Sequence, residues 1–283
     1  MLRKYIPIVL ILALAVIACS FNISLPIAPT SGPTVTDEIN IPQPDAAGSA
    51  SLTLTFGAGK IGLTPGASAL VTGTVTYNIP DFKPTITVDG GDIRIEQGNY
   101  KLTGIPDFSN IKNEWNLQLG TKPMDLSIEA GAYTATYELG GLALTDLTVK
   151  DGAAHVQLAF SNPNLVEMGM LRYETGASNV TLSNLANANF AMMKFNSGAG
   201  NYTLDFSGQF KREASVSIAT GVSNLTLVIP EGVQAQVTIE GGLANVSTPQ
   251  GWIKNGNVYT QTGSSPELRI LVEIGAGNLT ISR

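Results

Sequence analysis

The sequence predicts an all-β protein in which rungs of about 22 residues stack into a parallel β-solenoid. Three observations support this fold class. A glycine recurs at intervals of 21 to 24 residues between positions 131 and 242. Apolar and polar residues alternate after most of these glycines, as in strands with one buried face. The chain also has 30 glycines, 15 prolines and only 13% charged residues, which favours turn-rich β structure.

The repeat is aligned by its glycines, and the residues that follow them keep a common frame. The fourth and sixth residues after each glycine are mostly apolar, and the residue between them is polar in the well-matched units. One such unit cannot bury its apolar face alone, so we expect stacked neighbours to share a continuous core. The aligned glycines are Gly131, Gly152, Gly176, Gly198, Gly221, Gly242 and, after a longer gap, Gly275.

A polar residue three positions after the glycine is predicted to form a structural ladder at the turn. Asparagine tolerates left-handed backbone and can hydrogen-bond to an equivalent amide on the next rung. The asparagines also match the Asn-x-Ser/Thr glycosylation pattern, and a ligand site spanning several rungs is an open alternative. Their fixed place in the repeat favours the structural role, and it gives the single histidine the same role. The predicted ladder consists of His155, Asn179, Asn201, Asn224 and Asn278.

The amino terminus has the composition of a lipoprotein signal peptide over residues 1–18. Arg3 and Lys4 precede a short apolar run, and Cys19 ends the stretch VIAC, which resembles a bacterial lipobox. Acylation of Cys19 would anchor the chain to membrane lipid, because two acyl chains suffice for stable anchoring. We therefore expect a lipid-anchored protein on the extracytoplasmic face of the cell membrane, with inner and outer membranes both possible. Residues 19–48 are rich in Pro, Thr and Ser and predict a linker.

The folded part is predicted to contain two units. Residues 49–125 resemble a meander of strands separated by Gly and Pro turns, and we expect this N-terminal β domain to cap the stack. Residues 126–283 form the predicted solenoid. Trp115 is expected to anchor the junction between the two. The stretch FGAGKIGL at residues 56–63 is an outlying match to the repeat.

A segment between the last two repeat glycines is the candidate partner contact. Residues 250–267 carry Trp252, Lys254 and Tyr259 around an Asn-Gly pair that favours a hairpin turn. An aromatic residue on a protruding loop is a suitable contact point. The alternative, that Trp252 folds back as a cap over the last rung, has equal weight.

Composition excludes several function classes. One cysteine and one histidine leave no Cys-clustered metal site and few His-based sites, and a net charge of −6 argues against nucleic-acid binding. The sparse acidic residues of the repeat do not converge by frame, so we predict no catalytic residues, no metal and no cofactor. The predicted function is a non-enzymatic envelope scaffold or a binding or sensing module for a wall polymer or envelope protein. A β-helical enzyme acting on polysaccharides, or an adhesin, is the alternative.

Several linked stretches are similar to one bacterial family. They include EWNLQLGTKPMDLSIEAGAYTATYELGGLALTDLTV at 114–149, SGAGNYTLDFSG at 197–208 and VIPEGVQAQVTIEGG at 228–242. Over residues 50–283 the chain resembles the toast-rack proteins, whose C-terminal part is similar to the extracytoplasmic domain of LiaF-type envelope stress proteins. The resemblance implies a right-handed β-helical stack and a link to envelope stress, and it transfers no catalytic residues.

Overall fold

The computed structural model describes residues 31–45, 48–98 and 111–283. The predicted signal peptide and Cys19 lie outside these residues. Seven strands are long, and nine are short. The long strands are β2 (Ala50–Pro65), β7 (Met124–Glu138), β8 (Leu144–Ala159), β9 (Met168–Ser183), β10 (Phe190–Asp205), β11 (Ala214–Val228) and β16 (Leu268–Ser282).

The short strands lie at the two ends of the stack. They are β1 (Val35–Ile41), β3 (Val71–Tyr77), β4 (Pro84–Asp89), β5 (Asp92–Gln97), β6 (Asn113–Leu119), β12 (Ala235–Glu240), β13 (Leu243–Ser247), β14 (Ile253–Asn255) and β15 (Val258–Gln261). Two 3-10 turns, Pro80–Phe82 and Leu185–Ala188, complete the regular structure of the described residues. None of the helical turns in this part of the chain has the length and apolar character needed to cross a bilayer.

The long strands form one parallel ladder in which equivalent repeat positions are neighbours. Strands β2, β7, β8, β9, β10, β11 and β16 pair in that order. His155 pairs with Asn179, Asn179 with Asn201, and Asn201 with Asn224. The predicted all-β class and the parallel stacking of the repeats are thus both present.

Each long strand bends at its repeat glycine, so that both halves bury side chains in the same interior. In β11, Val216 and Ile218 are buried before the bend, and Leu225 and Leu227 are buried after it. The buried positions therefore change from even to odd numbers across Gly221. In β10 the two halves meet across the bend, where Phe195 packs edge-to-face on Tyr202 with ring centroids 5.3 Å apart.

Close stacking of the bends explains why glycine recurs there. A methyl group at Gly176 would lie 2.4 Å from the carbonyl oxygen of Gly152, and one at Gly198 would lie 2.7 Å from that of Gly176. The same approach repeats at Gly221 over Gly198 and at Gly275 over Gly221, at 2.6 and 2.8 Å. The repeat glycine is therefore selected by the absence of a β-carbon at the point where rungs touch.

The order of the last rungs in space differs from their order in sequence. Strand β16 pairs with β11 along its whole length, and Asn224 is the partner of Asn278. Strands β12 and β13 pair with the opposite side of β16, where Asn245 is the partner of Asn278. The rung of Gly275 therefore lies before the rung of Gly242 in the stack, the reverse of their order in the sequence. The C-terminal strand, whose rung sequence IGAGNLTI matches the repeat better, lies between β11 and the β12–β13 unit.

The front of the stack also differs from a simple meander. Strand β2, which contains FGAGKIGL, pairs in parallel with β7 from Ala50 to Leu63 and forms the first rung of the ladder. On its other side, β2 pairs with β5 through its first half and with β6 through its second half. Strands β6, β3 and β1 then continue antiparallel, as does β4 on β5. Trp115 of β6 is fully buried and packs edge-to-face on Phe56 of β2.

Part of the predicted linker is a strand. Residues 35–41 fall within the expected 19–48 linker, yet they form β1 and pair with β3. Ile39 and Ile41 are buried at the edge of the core. They alternate with polar residues, as expected of a strand with one buried face. The linker expectation is corrected over this stretch, where overall Pro and Thr content concealed a short period-two pattern.

Candidate functional site

The predicted asparagine ladder is formed by hydrogen bonds between side chains. Asn201 Nδ2 donates to Asn179 Oδ1 at 2.8 Å, and Asn224 Nδ2 donates to Asn201 Oδ1 at 2.9 Å. Asn278 then donates to Asn224 at 2.7 Å, and Asn245 donates to Asn278 at 3.3 Å. All five amides are exposed and point the same way along the stack. The structure therefore joins four of the predicted residues and adds Asn245 at the end.

His155 continues this column toward the front of the stack. It pairs in register with Asn179 on one side and with Thr134 on the other, and its side chain is exposed. Its backbone place is the one that the repeat frame assigned to it.

A column of threonines runs beside the asparagines. Thr181, Thr203, Thr226 and Thr280 are successive partners in the ladder, each two residues after a ladder asparagine. Ser247 ends this column, with its hydroxyl 3.3 Å from that of Thr280. The four threonines and the ladder asparagine of each of their rungs together form a surface that we call the Asn–Thr face. Its eight residues are Asn179, Thr181, Asn201, Thr203, Asn224, Thr226, Asn278 and Thr280. The sequence frame recorded this position only as polar, so the second column was not singled out.

A carboxylate inside the bend forms a separate polar cluster. Asp151 Oδ2 accepts hydrogen bonds from Tyr173 at 2.7 Å and Tyr133 at 3.2 Å. Its Oδ1 accepts from Thr175 and, at 3.3 Å, from Ser178. Four hydroxyls thus converge on one carboxylate, a set that the sequence analysis missed. One feature of the sequence could have pointed to this cluster. Asp151 directly precedes a repeat glycine, a position that is occupied by Thr175 and Thr220 in other rungs.

Two tyrosines of this cluster, Tyr133 and Tyr173, and the neighbouring Tyr137 are held protonated. Burial is the largest cause of a raised pKa at Tyr133, Tyr137 and Tyr173, and the negative charge of Asp151 raises all three further. Tyr133 and Tyr173 donate their hydroxyl protons to the Asp151 carboxylate, and with a raised pKa they do not act as bases at neutral pH. The arrangement therefore stabilises the bend by satisfying a half-buried charge.

Candidate metal ligands are dispersed in the described part of the chain. No group of three or more His, Cys, Asp and Glu side chains comes together there in a way that could hold a metal ion. Asp89 and Asp92 face each other at the β4–β5 hairpin, where Gly90 adopts a positive φ of 58°. The two carboxylates therefore flank a tight turn.

The predicted contact segment forms a hairpin that extends the end of the sheet. Strand β15 pairs antiparallel with β12, and β14 pairs with β15 as the outermost strand. Tyr259 is only 6% exposed, and Lys254 Nζ lies 5.2 Å from the centre of its ring. Trp252 is half-buried and packs against the core. Tyr259 therefore belongs to the packing of the hairpin, which corrects its expected place on an open contact surface.

A depression lies on the outer side of the first strand halves. It encloses about 440 Å³ and lies over the short side chains of Ser215 and Ser217. Met192, which is 50% exposed, and Lys194 border it on one side, and Arg269 borders it on the other. Arg269 is paired with Glu213 at 3.6 Å and with Glu267, so part of its charge is already compensated.

The chain matches the sequence model of one protein family. The model described as the N-terminal domain of toast_rack, DUF2154, matches residues 30–182 and 163–228. The chain belongs to the toast-rack family. The resemblance to the toast-rack proteins is thereby confirmed, and the match includes the rungs from β2 to β11. No curated protein of related sequence was found.

Several solved structures are similar to this chain. A proposed cell adhesion protein from Clostridium sporogenes has 22% identity and a TM-score of 0.50, covering 88% of this chain and 99% of its own. A proposed lipid binding protein from Parabacteroides distasonis has 14% identity and a TM-score of 0.38, covering 88% and 97%. A proposed adhesin from Parabacteroides merdae has 12% identity and a TM-score of 0.39, covering 89% and 97%.

Proposed function

We propose that the chain is a non-enzymatic module of the bacterial cell envelope that presents a rigid β surface to an extracellular partner. The observation that carries the proposal is the Asn–Thr face, in which hydrogen bonds between three consecutive pairs of amides fix the four outward asparagine side chains. A surface ordered in this way binds with little further loss of side-chain entropy. The fold is shared with a proposed cell adhesion protein, and attachment to a wall polymer or envelope protein suits such a surface.

Location is the second part of the proposal. Cys19 would carry the lipid, and the residues that follow would hold the folded stack away from the extracytoplasmic face of the membrane. We take the coil to be right-handed, as the family resemblance implies. A role in sensing envelope stress would follow if partner binding were coupled to a signalling protein.

Two measurements test this proposal. Cells producing the full-length chain would be labelled with palmitate and fractionated, with Cys19→Ala as the matched variant. We expect label and membrane retention only with Cys19, and membrane retention of the Cys19→Ala chain would contradict the anchor.

The binding role is tested with isolated envelopes from the same cells. Sedimentation should show saturable binding of the full-length chain. The same preparation would be screened for release of reducing sugars from wall and plant polysaccharides. Robust turnover would replace the binding role with an enzymatic one.

A further inference from the structure

We infer that the Asn–Thr face is the binding site and that its ligand is an uncharged, extended polysaccharide. This inference rests on the proposed binding function and names its surface and its ligand class. The face is a two-dimensional array of amides and hydroxyls. Neighbouring rungs are separated by about 4.8 Å, and the Asn and Thr columns by about 6.6 Å along each strand.

Hydrogen-bonding capacity is left over after the ladder is made. An asparagine amide has two N–H donors and an oxygen with two lone pairs. Asn201 and Asn224 each use one donor and one lone pair in the ladder. Their second donor and second lone pair recur with the same orientation on successive rungs. The threonine hydroxyl of each rung adds one rotatable donor and acceptor beside them.

The absence of charged side chains on the Asn–Thr face indicates which class of ligand it can bind. Among the described outward residues in the second halves of β9, β10, β11 and β16, Asp205 is the one charged side chain. Its Oδ1 accepts from the backbone N–H of Ser207 at 2.8 Å, and it lies beyond the two columns. A surface of neutral donors and acceptors is complementary to a polymer of hydroxyl groups. The eight residues of the Asn–Thr face include no cation that could replace the counterions of an anionic polymer.

Repetition supplies affinity that one rung could not give. A single neutral hydrogen bond at an exposed site contributes little. An extended chain lying across several rungs engages equivalent groups together, and each contact after the first is intramolecular. The opposite outer face lacks this regularity, because Met192, Ser215 and Arg269 occupy consecutive positions of one column there.

The test compares two triple variants of the full-length chain. Thr181→Val, Thr203→Val and Thr226→Val together remove three hydroxyls from the face and keep β-branched side chains that suit strands. Ser215→Val, Ser217→Val and Thr238→Val remove three hydroxyls from the opposite face as the matched control. Thermal melting would show that both variants fold. Retention would be measured on particulate cellulose and β-1,3-glucan, with polyglycerol phosphate as an anionic comparison.

We expect the unmodified chain and the control to bind a neutral glycan with little dependence on salt. The threonine variant should have a dissociation constant at least about tenfold higher. Equal binding by the two variants would overturn the inference, as would binding to polyglycerol phosphate alone. Binding to envelopes without binding to either neutral glycan would overturn the inference and leave the proposed function standing. Failure on envelopes as well would overturn both.

Discussion

Asn278 donates its side-chain amide to Asn224 at 2.7 Å, although the two residues are 54 positions apart in the sequence. The contact exists because β16 returns from the carboxyl end of the chain and pairs in parallel with β11. The rung carrying Asn245 is thereby displaced to the outside of the stack. Strand β16 is thus the last strand in the sequence, but its rung is the next to last in the stack.

The stacked bends predict an unequal response to the same substitution at two glycines. In Gly176→Ala, the new methyl group would lie 2.4 Å from Gly152 O, whereas in Gly152→Ala it would lie 3.2 Å from Gly131 O. We expect a loss of about 2–3 kcal/mol in the free energy of unfolding for the first and below about 1 kcal/mol for the second. Urea denaturation measures both. Equal losses would show that the bends are not stacked this closely.

Ladder position predicts the cost of removing an amide. Asn201 has two ladder bonds, and Asn245 at the end has one. We expect Asn201→Ala to lower the free energy of unfolding by about 1–2 kcal/mol and Asn245→Ala by about half as much, because each exposed bond contributes modestly. Chemical denaturation of both variants provides the comparison. A larger effect at Asn245 would be incompatible with the ladder as described.

Much of the stack could be predicted from sequence because its signals are local. The glycine spacing and the alternation around Val180 and Leu182 report one buried face per strand half, and both residues are buried. The order of the last rungs could not be predicted in this way. Pairing of β11 with β16 depends on a choice between two similar partners far apart in sequence, and periodicity does not record that choice.

The candidate site was predictable to a different extent at each of its parts. Asn179 and Asn201 stood at a fixed repeat position, so their column followed from the frame. Asp151 gains its role from Tyr133 and Tyr173 on two neighbouring rungs, and a one-dimensional pattern does not show that convergence. Burial of Tyr259 depends on the fold of the terminal hairpin, which has no repeat to indicate it.

Asp151 is predicted to be the most sensitive polar residue of the bend. Asparagine in its place would turn an amide N–H₂ toward hydroxyls that now donate, and it would leave buried groups unsatisfied. We expect Asp151→Asn to cost about 2–4 kcal/mol. Asp205→Asn is the matched control, since Asp205 is bonded only to the Ser207 backbone among the contacts described, and it should cost less than about 1 kcal/mol. Thermal melts that rank the two variants in the reverse order would contradict this role.

Alkaline pH should destabilise the fold through Tyr133 and Tyr173 of the Asp151 cluster and through the neighbouring Tyr137. Burial raises the pKa of Tyr133, Tyr137 and Tyr173 in the folded state, while in the unfolded chain they ionise near the usual value of about 10. Their stabilising effect is therefore complete below pH of about 10 and falls as pH rises above it, because unfolding then releases protons. Each such tyrosine makes the free energy of unfolding fall by about 1.4 kcal/mol per pH unit.

The alkaline effect is measured by urea denaturation at a series of pH values from neutral upward. Tyr173→Phe removes one of the titrating groups, so its free energy of unfolding should fall less steeply with pH than that of the unmodified chain. The comparison uses slopes, which are insensitive to a constant loss of stability in the variant. Identical slopes would mean that Tyr173 ionises alike in both states.

The terminal hairpin should respond to loss of its tryptophan as a packing element. Trp252 is half-buried against the core, whereas its neighbour Ile253 is 64% exposed. We expect Trp252→Ala to lower the free energy of unfolding by about 2 kcal/mol and Ile253→Ala to change it by less than about 0.5 kcal/mol. A folded Trp252→Ala chain with unchanged stability and lost envelope binding would instead identify Trp252 as a contact.

The most direct test of the central claim asks which rung lies beside Asn224. In a Cys19→Ala background, one variant would pair Asn224→Cys with Asn278→Cys, and the other would pair Asn224→Cys with Asn245→Cys. Adjacent rungs lie about 4.8 Å apart, whereas alternate rungs exceed the span of about 7 Å that a disulfide can bridge. Mild oxidation should crosslink the first pair and leave the second as free thiols. Crosslinking of the second pair in preference to the first would show that the rungs stack in sequence order and would contradict the inserted strand.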